Sequence, residues 1–70
     1  MQTKKMVVVA TYPFTATEQE DLPLVKGDYY VVLDNSQPYW WKVANSTAEV
    51  GLIPSKHVKM SGHLETHGLP

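Results

Sequence analysis

Residues 39–42 read YWWK and hold both tryptophans of the chain. Side chains alternate along a strand, so in a strand Trp40 and Trp41 must point to opposite faces. One ring can enter a core. The other then stands at the surface, where folding alone gives a large aromatic no reason to be.

The runs on either side have the same strand character. Upstream, residues 28–34 (DYYVVLD) are rich in β-branched and aromatic residues and read as a strand. Residues 34–38 (DNSQP) carry turn chemistry and separate that strand from 39–44 (YWWKVA). Downstream, residues 45–48 (NSTA) suit a tight hairpin turn, although they contain no glycine. Residues 49–53 (EVGLI) form a further strand, interrupted by Gly51, where another backbone can approach closely. Pro54 and Ser55 suit the start of one helical turn, and Val58 to Met60 a short closing strand. Nearer the start, residues 6–12 (MVVVATY) read as a strand ended by Pro13. Residues 13–27 form a long connection in which Leu22 and Leu24 alternate with Pro23, as if one face packs down. A folded-over hairpin fits that pattern better than a floppy coil, and long loops of this kind are often functional.

The expected organisation is an N-terminal flank (1–5), a domain (6–60) and a flexible tail or linker (61–70). There is no internal repeat and no convincing helix. Five short strands with one long loop predict an all-β fold, a small barrel or pair of packed sheets. The expected core is Val8, Ala10, Leu22, Leu24, Tyr30, Val32, Val43, Ile53 and Val58.

Bulk properties narrow the function. Seventy residues make one small domain, which buries about 60% of its unfolded surface. No cysteine is present, so disulfides and thiolate metal sites are excluded. This fits a cytoplasmic setting. A net charge of −1 implies no general attraction to nucleic acid or anionic membrane. The longest aliphatic run, Met6 to Ala10, is far too short for a signal or membrane segment. The chain therefore reads as an excised module, without direct membrane insertion. No Ser, His and carboxylate constellation suggests catalysis, and a water-excluding site is hard to build in so small a barrel. His63 and His67 are spaced to share a metal on a helix, but Gly62 and Gly68 argue against that helix. No metal and no cofactor are expected.

Four segments match a family in order and spacing: ATYPF (10–14), EDLPLVKGD (20–28), YWWKV (39–43) and GLIPSKHV (51–58). Over residues 7–60 the chain resembles a Src-homology-3 (SH3) domain, whose patterns are ALYDY, a KGD-like stretch, a WW pair and G-x-I-P-S-N-Y-V. Within the family the look is nearest to modules of Tec-type or Csk-type cytoplasmic tyrosine kinases and Nck-type adaptors. The resemblance implies a five-stranded barrel of two orthogonal antiparallel sheets. Residues 13–27 would be the RT loop, 34–38 the n-Src loop, 45–48 the distal turn and 54–57 a short 3₁₀ turn.

It also implies a function: docking of proline-rich (PxxP) segments in the polyproline II conformation, as a monomeric, non-catalytic signalling or adaptor module. Such a module can be recruited to membrane-associated signalling complexes. That mode needs an aromatic-lined groove, because prolines of a preformed helix lie between flat rings. By the same resemblance, Trp40 is the outward ring and Trp41 packs over the barrel's outer side. Tyr12, Phe14 and Pro54 would line proline pockets. Asp21, helped by Glu20 and Glu18, would sit beside Trp40 and hold an arginine or lysine of the ligand.

The chain also departs from the pattern. Pro13 replaces the acidic residue of ALYDY, and Leu52 replaces an aromatic. Lys56 replaces an asparagine that donates to a ligand carbonyl. His57 replaces the tyrosine that separates the two proline pockets and bonds the ligand through its hydroxyl. These changes keep an alternative open: an atypical SH3 domain with weakened PxxP binding, docking a non-PxxP peptide, a folded partner or an intramolecular linker. Two rivals from other classes are weaker. Base stacking on a small barrel conflicts with the acidic loop beside Trp40. A methyl-lysine cage of Tyr12, Trp40 and Asp21 conflicts with the proline-pocket spacing.

Overall fold

The computed structural model describes residues 4–65. Five strands follow in order: β1 (Lys4–Ala10), β2 (Tyr29–Asp34), β3 (Trp40–Ala44), β4 (Val50–Pro54) and β5 (Val58–Glu65), with a 3₁₀ turn at Ser55–His57 before β5. All neighbouring strands pair antiparallel, in the spatial order β4-β3-β2-β1-β5. The fold is all-β, as expected.

The ladder is continuous, so the two expected sheets are two halves of one sheet that curls over. Flat, five strands would set β4 and β5 about 19 Å apart, at about 4.8 Å per step. The Ser55–His57 turn joins them directly, and three 3₁₀ residues advance only about 6 Å. The edges must therefore meet. Register shifts between Val7 and Val8 and between Val32 and Asp34 sharpen the bending.

Inside the curl lie Val8, Ala10, Leu22, Leu24, Tyr30, Val43 and Ile53, all buried. Val32 and Val58, also expected there, are only half-buried and pack against that cluster together with Phe14 and Trp41. The Tyr30 hydroxyl accepts the Val25 N–H at 2.9 Å, which satisfies a polar atom carried into the core.

The 13–27 connection is a folded-over hairpin. Phe14 and Leu24 exchange two backbone hydrogen bonds, 3.1 and 2.9 Å. Its return leg lies along β4: Leu52 N–H donates to Glu20 O at 2.8 Å, and Leu22 N–H to Leu52 O at 3.0 Å. Gly51 makes that approach feasible, since a Cβ there would lie 2.8 Å from the Leu22 Cβ and 2.9 Å from Glu20 O. The loop closes at Gly27, whose φ of +92° suits glycine and whose N–H donates to Ala10 O at 2.8 Å.

Three expectations need correction. β1 ends at Ala10 rather than residue 12, because Thr11 and Tyr12 turn their N–H groups to His57 O, at 2.8 and 3.3 Å. β5 runs to Glu65, so residues 61–65 continue a strand where a tail was expected; Gly62 to Glu65 pair with Lys4–Val7 of β1, and Ser61 falls at the register shift. Trp41 is not on the outer side: it shares strand parity with buried Val43 and packs against the core cluster. Its Nε1 is buried without a hydrogen-bond partner. His63 lies in β5 rather than on a helix, and His67 and residues 66–70 lie outside the described residues.

Candidate functional site

Four rings form a row at one end of the barrel. Tyr12 and His57 meet with centroids 5.9 Å apart, His57 and Phe14 at 5.9 Å, and Phe14 and Trp40 at 5.9 Å. All three contacts are edge-to-face, the favoured geometry for aromatic pairs. The rings come from three places in the chain: Tyr12 and Phe14 from the loop after β1, Trp40 from the start of β3, and His57 from the 3₁₀ turn.

Backbone bonds fix their positions. The His57 carbonyl accepts from Thr11 N–H, Tyr12 N–H and, at 3.0 Å, Thr11 Oγ1. Ser55 N–H donates to Tyr39 O at 2.9 Å, and Ser55 Oγ to Pro38 O at 2.7 Å. The 3₁₀ turn is thus tied to both the loop and β3. Half-buried Pro54 pairs across the ladder with Trp40.

Trp40 is 43% exposed and Tyr12 62%, too much for core residues and consistent with a surface lined for contact. Two hollows flank the row. One, of about 440 Å³, is lined by Phe14, Thr17, Glu18, Asp21, Trp40 and Leu52. The other, of about 450 Å³, is lined by Tyr12, Pro13, Lys56 and His57. The first is acidic. Its Asp21 is held in place as Oδ2 accepts the Glu18 N–H at 3.3 Å. The second carries the Lys56 ammonium.

Of the residues expected at the site, Glu20 is the one placed elsewhere. It lines a separate hollow with Lys42, Val50, Gly51 and Leu52, at a turn where its carbonyl accepts the Leu52 N–H. Thr17 lines the acidic hollow and was not expected there; a lone threonine in a loop carries no sequence signal. A larger hollow of about 500 Å³ lies elsewhere, between the loop base and the distal turn, lined by residues such as Val25, Tyr29 and Thr47. Size alone does not make it the site, since it has only one exposed ring, Tyr29, and no row.

Among the described residues no group of three or more His, Cys, Asp or Glu is placed to hold a metal, and no helix is long and apolar enough to cross a membrane.

The family model described as SH3 domain matches residues 9–55. The chain belongs to the SH3 family. SH3 domains are non-catalytic interaction modules. This SH3 domain is 53% identical over 53 residues to the tyrosine-protein kinase Btk of Drosophila melanogaster, covering 76% of the chain and 7% of the kinase. It is 42% identical over 52 residues to the SH2/SH3 adapter protein dreadlocks of the same species, covering 74% of the chain and 9% of the adapter. The expected likeness to modules of tyrosine kinases and adaptors is borne out, and the chain spans less than a tenth of either protein. Among solved structures it is similar to the C-terminal SH3 domain of myosin IB from Entamoeba histolytica bound to an EhFP10(GEF) peptide. That likeness has a TM-score of 0.77 at 34% identity, covering 83% of this chain and 95% of the other.

Proposed function

We propose that this SH3 domain binds proline-rich segments in the polyproline II conformation along the row Tyr12, His57, Phe14 and Trp40, with Pro54 at its floor. The observation that carries this is the row itself: four rings at 5.9 Å intervals, flanked by hollows. A polyproline II ligand is already extended and loses little entropy on docking, so a small surface suffices. Asp21 and Glu18, beside Trp40, would hold an arginine or lysine flanking the PxxP core, giving it carboxylate and aromatic partners together. The affinity expected of such a groove is micromolar, about −8 kcal/mol. The setting we infer is a cytoplasmic signalling protein, kinase or adaptor, because relatives of both kinds carry the domain.

Tryptophan fluorescence during titration with an arginine-flanked PxxP peptide tests the reading. It predicts a saturable change that Trp40→Ala abolishes. No change at millimolar peptide would contradict it.

A second reading draws on Lys56 and His57. With these in place of asparagine and tyrosine, the far end of the groove offers a different hydrogen-bonding surface, which fits a motif other than ordinary PxxP.

A further inference from the structure

His57 is tied on one side. Its Nδ1 lies 3.2 Å from the Pro13 carbonyl oxygen. A carbonyl only accepts, so Nδ1 must carry the hydrogen and donate. In the neutral imidazole Nε2 is then an acceptor. Among the described residues no group hydrogen-bonds Nε2, and it is not a buried unpartnered atom as Trp41 Nε1 is. It is not sealed from solvent, and the half-buried ring, wedged between Tyr12 and Phe14, lines the hollow with Pro13 and Lys56.

A polyproline II chain has no internal hydrogen bonds, so its carbonyls are free along its length. Proline has no N–H. Consecutive prolines therefore present acceptors only, and against Nε2 an acceptor would meet an acceptor. Leaving such groups unpaired is unfavourable.

The geometry points to His57 as the residue that sets the hydrogen-bond polarity of this groove. With Nδ1 carrying the hydrogen, its Nε2 accepts from the backbone N–H of a non-proline residue in the ligand. This rests on the peptide-binding reading above and narrows it. The preferred ligand is a proline-rich segment interrupted, at the His57 subsite, by a residue with a free N–H; unbroken proline there is selected against. The other titratable groups around the ring are the Tyr12 phenol and the Lys56 ammonium, while Phe14 and Pro13 contribute none. Lys56 only donates and cannot replace the acceptor.

The test uses an arginine-flanked PxxP peptide and analogues N-methylated at one x position at a time, each titrated at pH 7.5 into the wild-type domain and His57→Phe. At pH 7.5 methylation at one position is expected to weaken wild-type binding roughly tenfold. The penalty should vanish in His57→Phe. An equal penalty in the wild-type domain and His57→Phe, or none at either position, overturns the inference while leaving peptide binding intact. No binding of the unmethylated peptide removes the peptide-binding reading and this one with it. The imidazole ¹⁵N spectrum of the wild-type domain reads the tautomer without any ligand: hydrogen on Nδ1 is expected at pH 7.5, and hydrogen on Nε2 overturns the inference.

Discussion

Phe14 stands edge-on to Trp40, with centroids 5.9 Å apart and planes at 66°. One ring comes from the loop after β1 and the other from the start of β3. Phe14 also packs against the core cluster. It joins the hydrophobic interior to the surface row, and Trp40 is held from the side by a residue with its own anchor.

Phe14→Ala should therefore do two things. It should cost about 2 kcal/mol of stability, as expected for emptying a half-buried aromatic site. It should also weaken peptide binding in the fraction that stays folded, because Trp40 loses its support. Chemical denaturation and peptide titration below the unfolding transition separate the effects. Trp40→Ala, by contrast, should reduce affinity by roughly thirtyfold or more with little change in stability.

Asp21→Asn should act on one class of ligand. Affinity for arginine-flanked peptides should fall roughly fivefold to tenfold. Affinity for the same peptides with the arginine replaced by glutamine should hardly change. The wild-type advantage should shrink as salt rises, since the site is exposed. Titrations at low and high salt check this. Glu20→Gln, facing the separate hollow, should leave the preference in place.

Gly51→Ala should destabilise the domain by about 2 kcal/mol or more, because its Cβ would collide with Leu22 and with the backbone of Glu20. The clash falls where the loop's return leg binds β4, so the leg carrying Asp21 should loosen first. Amide exchange at Leu22 and Leu52 should speed up more than exchange in β1 and β2.

The distal turn offers a stabilising change. Ala48 has φ 68°, a left-handed conformation that costs an alanine about 1 kcal/mol. Ala48→Gly should recover up to about 1 kcal/mol in thermal or chemical unfolding. Asn45→Ala should do the reverse, since its side chain accepts from Thr47 N–H, Thr47 Oγ1 and Glu49 N–H and donates to Glu49.

Asp34 ties stability to pH. Its carboxylate accepts the Ser36 N–H at 2.9 Å and the Ser36 hydroxyl at 2.7 Å, and these bonds, the backbone one foremost, hold its pKa below the usual carboxylate range. A depressed folded pKa means the carboxylate stabilises the fold above the unfolded pKa. That contribution is lost as pH falls below about 4, through the folded value. Asp34→Asn should flatten this part of the acid-unfolding profile.

Strand positions and most of the core could be read from the chain because a strand repeats every two residues. Leu22 and Leu24, alternating with Pro23, showed that the long loop packs one face down. Trp40 and Trp41 were assigned to opposite faces by the same period, yet the side that Trp41 takes depends on Val43 being the inward neighbour, and the family likeness had placed it outside. The family likeness sets Glu20 beside Asp21, whereas the turn at residues 18–21 brings Glu20 to a different hollow. The extension of β5 carries no local signal: Ser61 and Gly62 look like tail residues until β1 supplies the partner strand. The hydrogen bond between His57 and Pro13 joins residues far apart in sequence, and only the folded chain brings them together.

The most direct measurement is a map of backbone amide shifts during titration with an arginine-flanked PxxP peptide. The account predicts saturable shifts clustered at Tyr12, Phe14, Asp21, Trp40 and His57. Shifts clustered instead around Val25, Tyr29 and Thr47, or none at all, would contradict it.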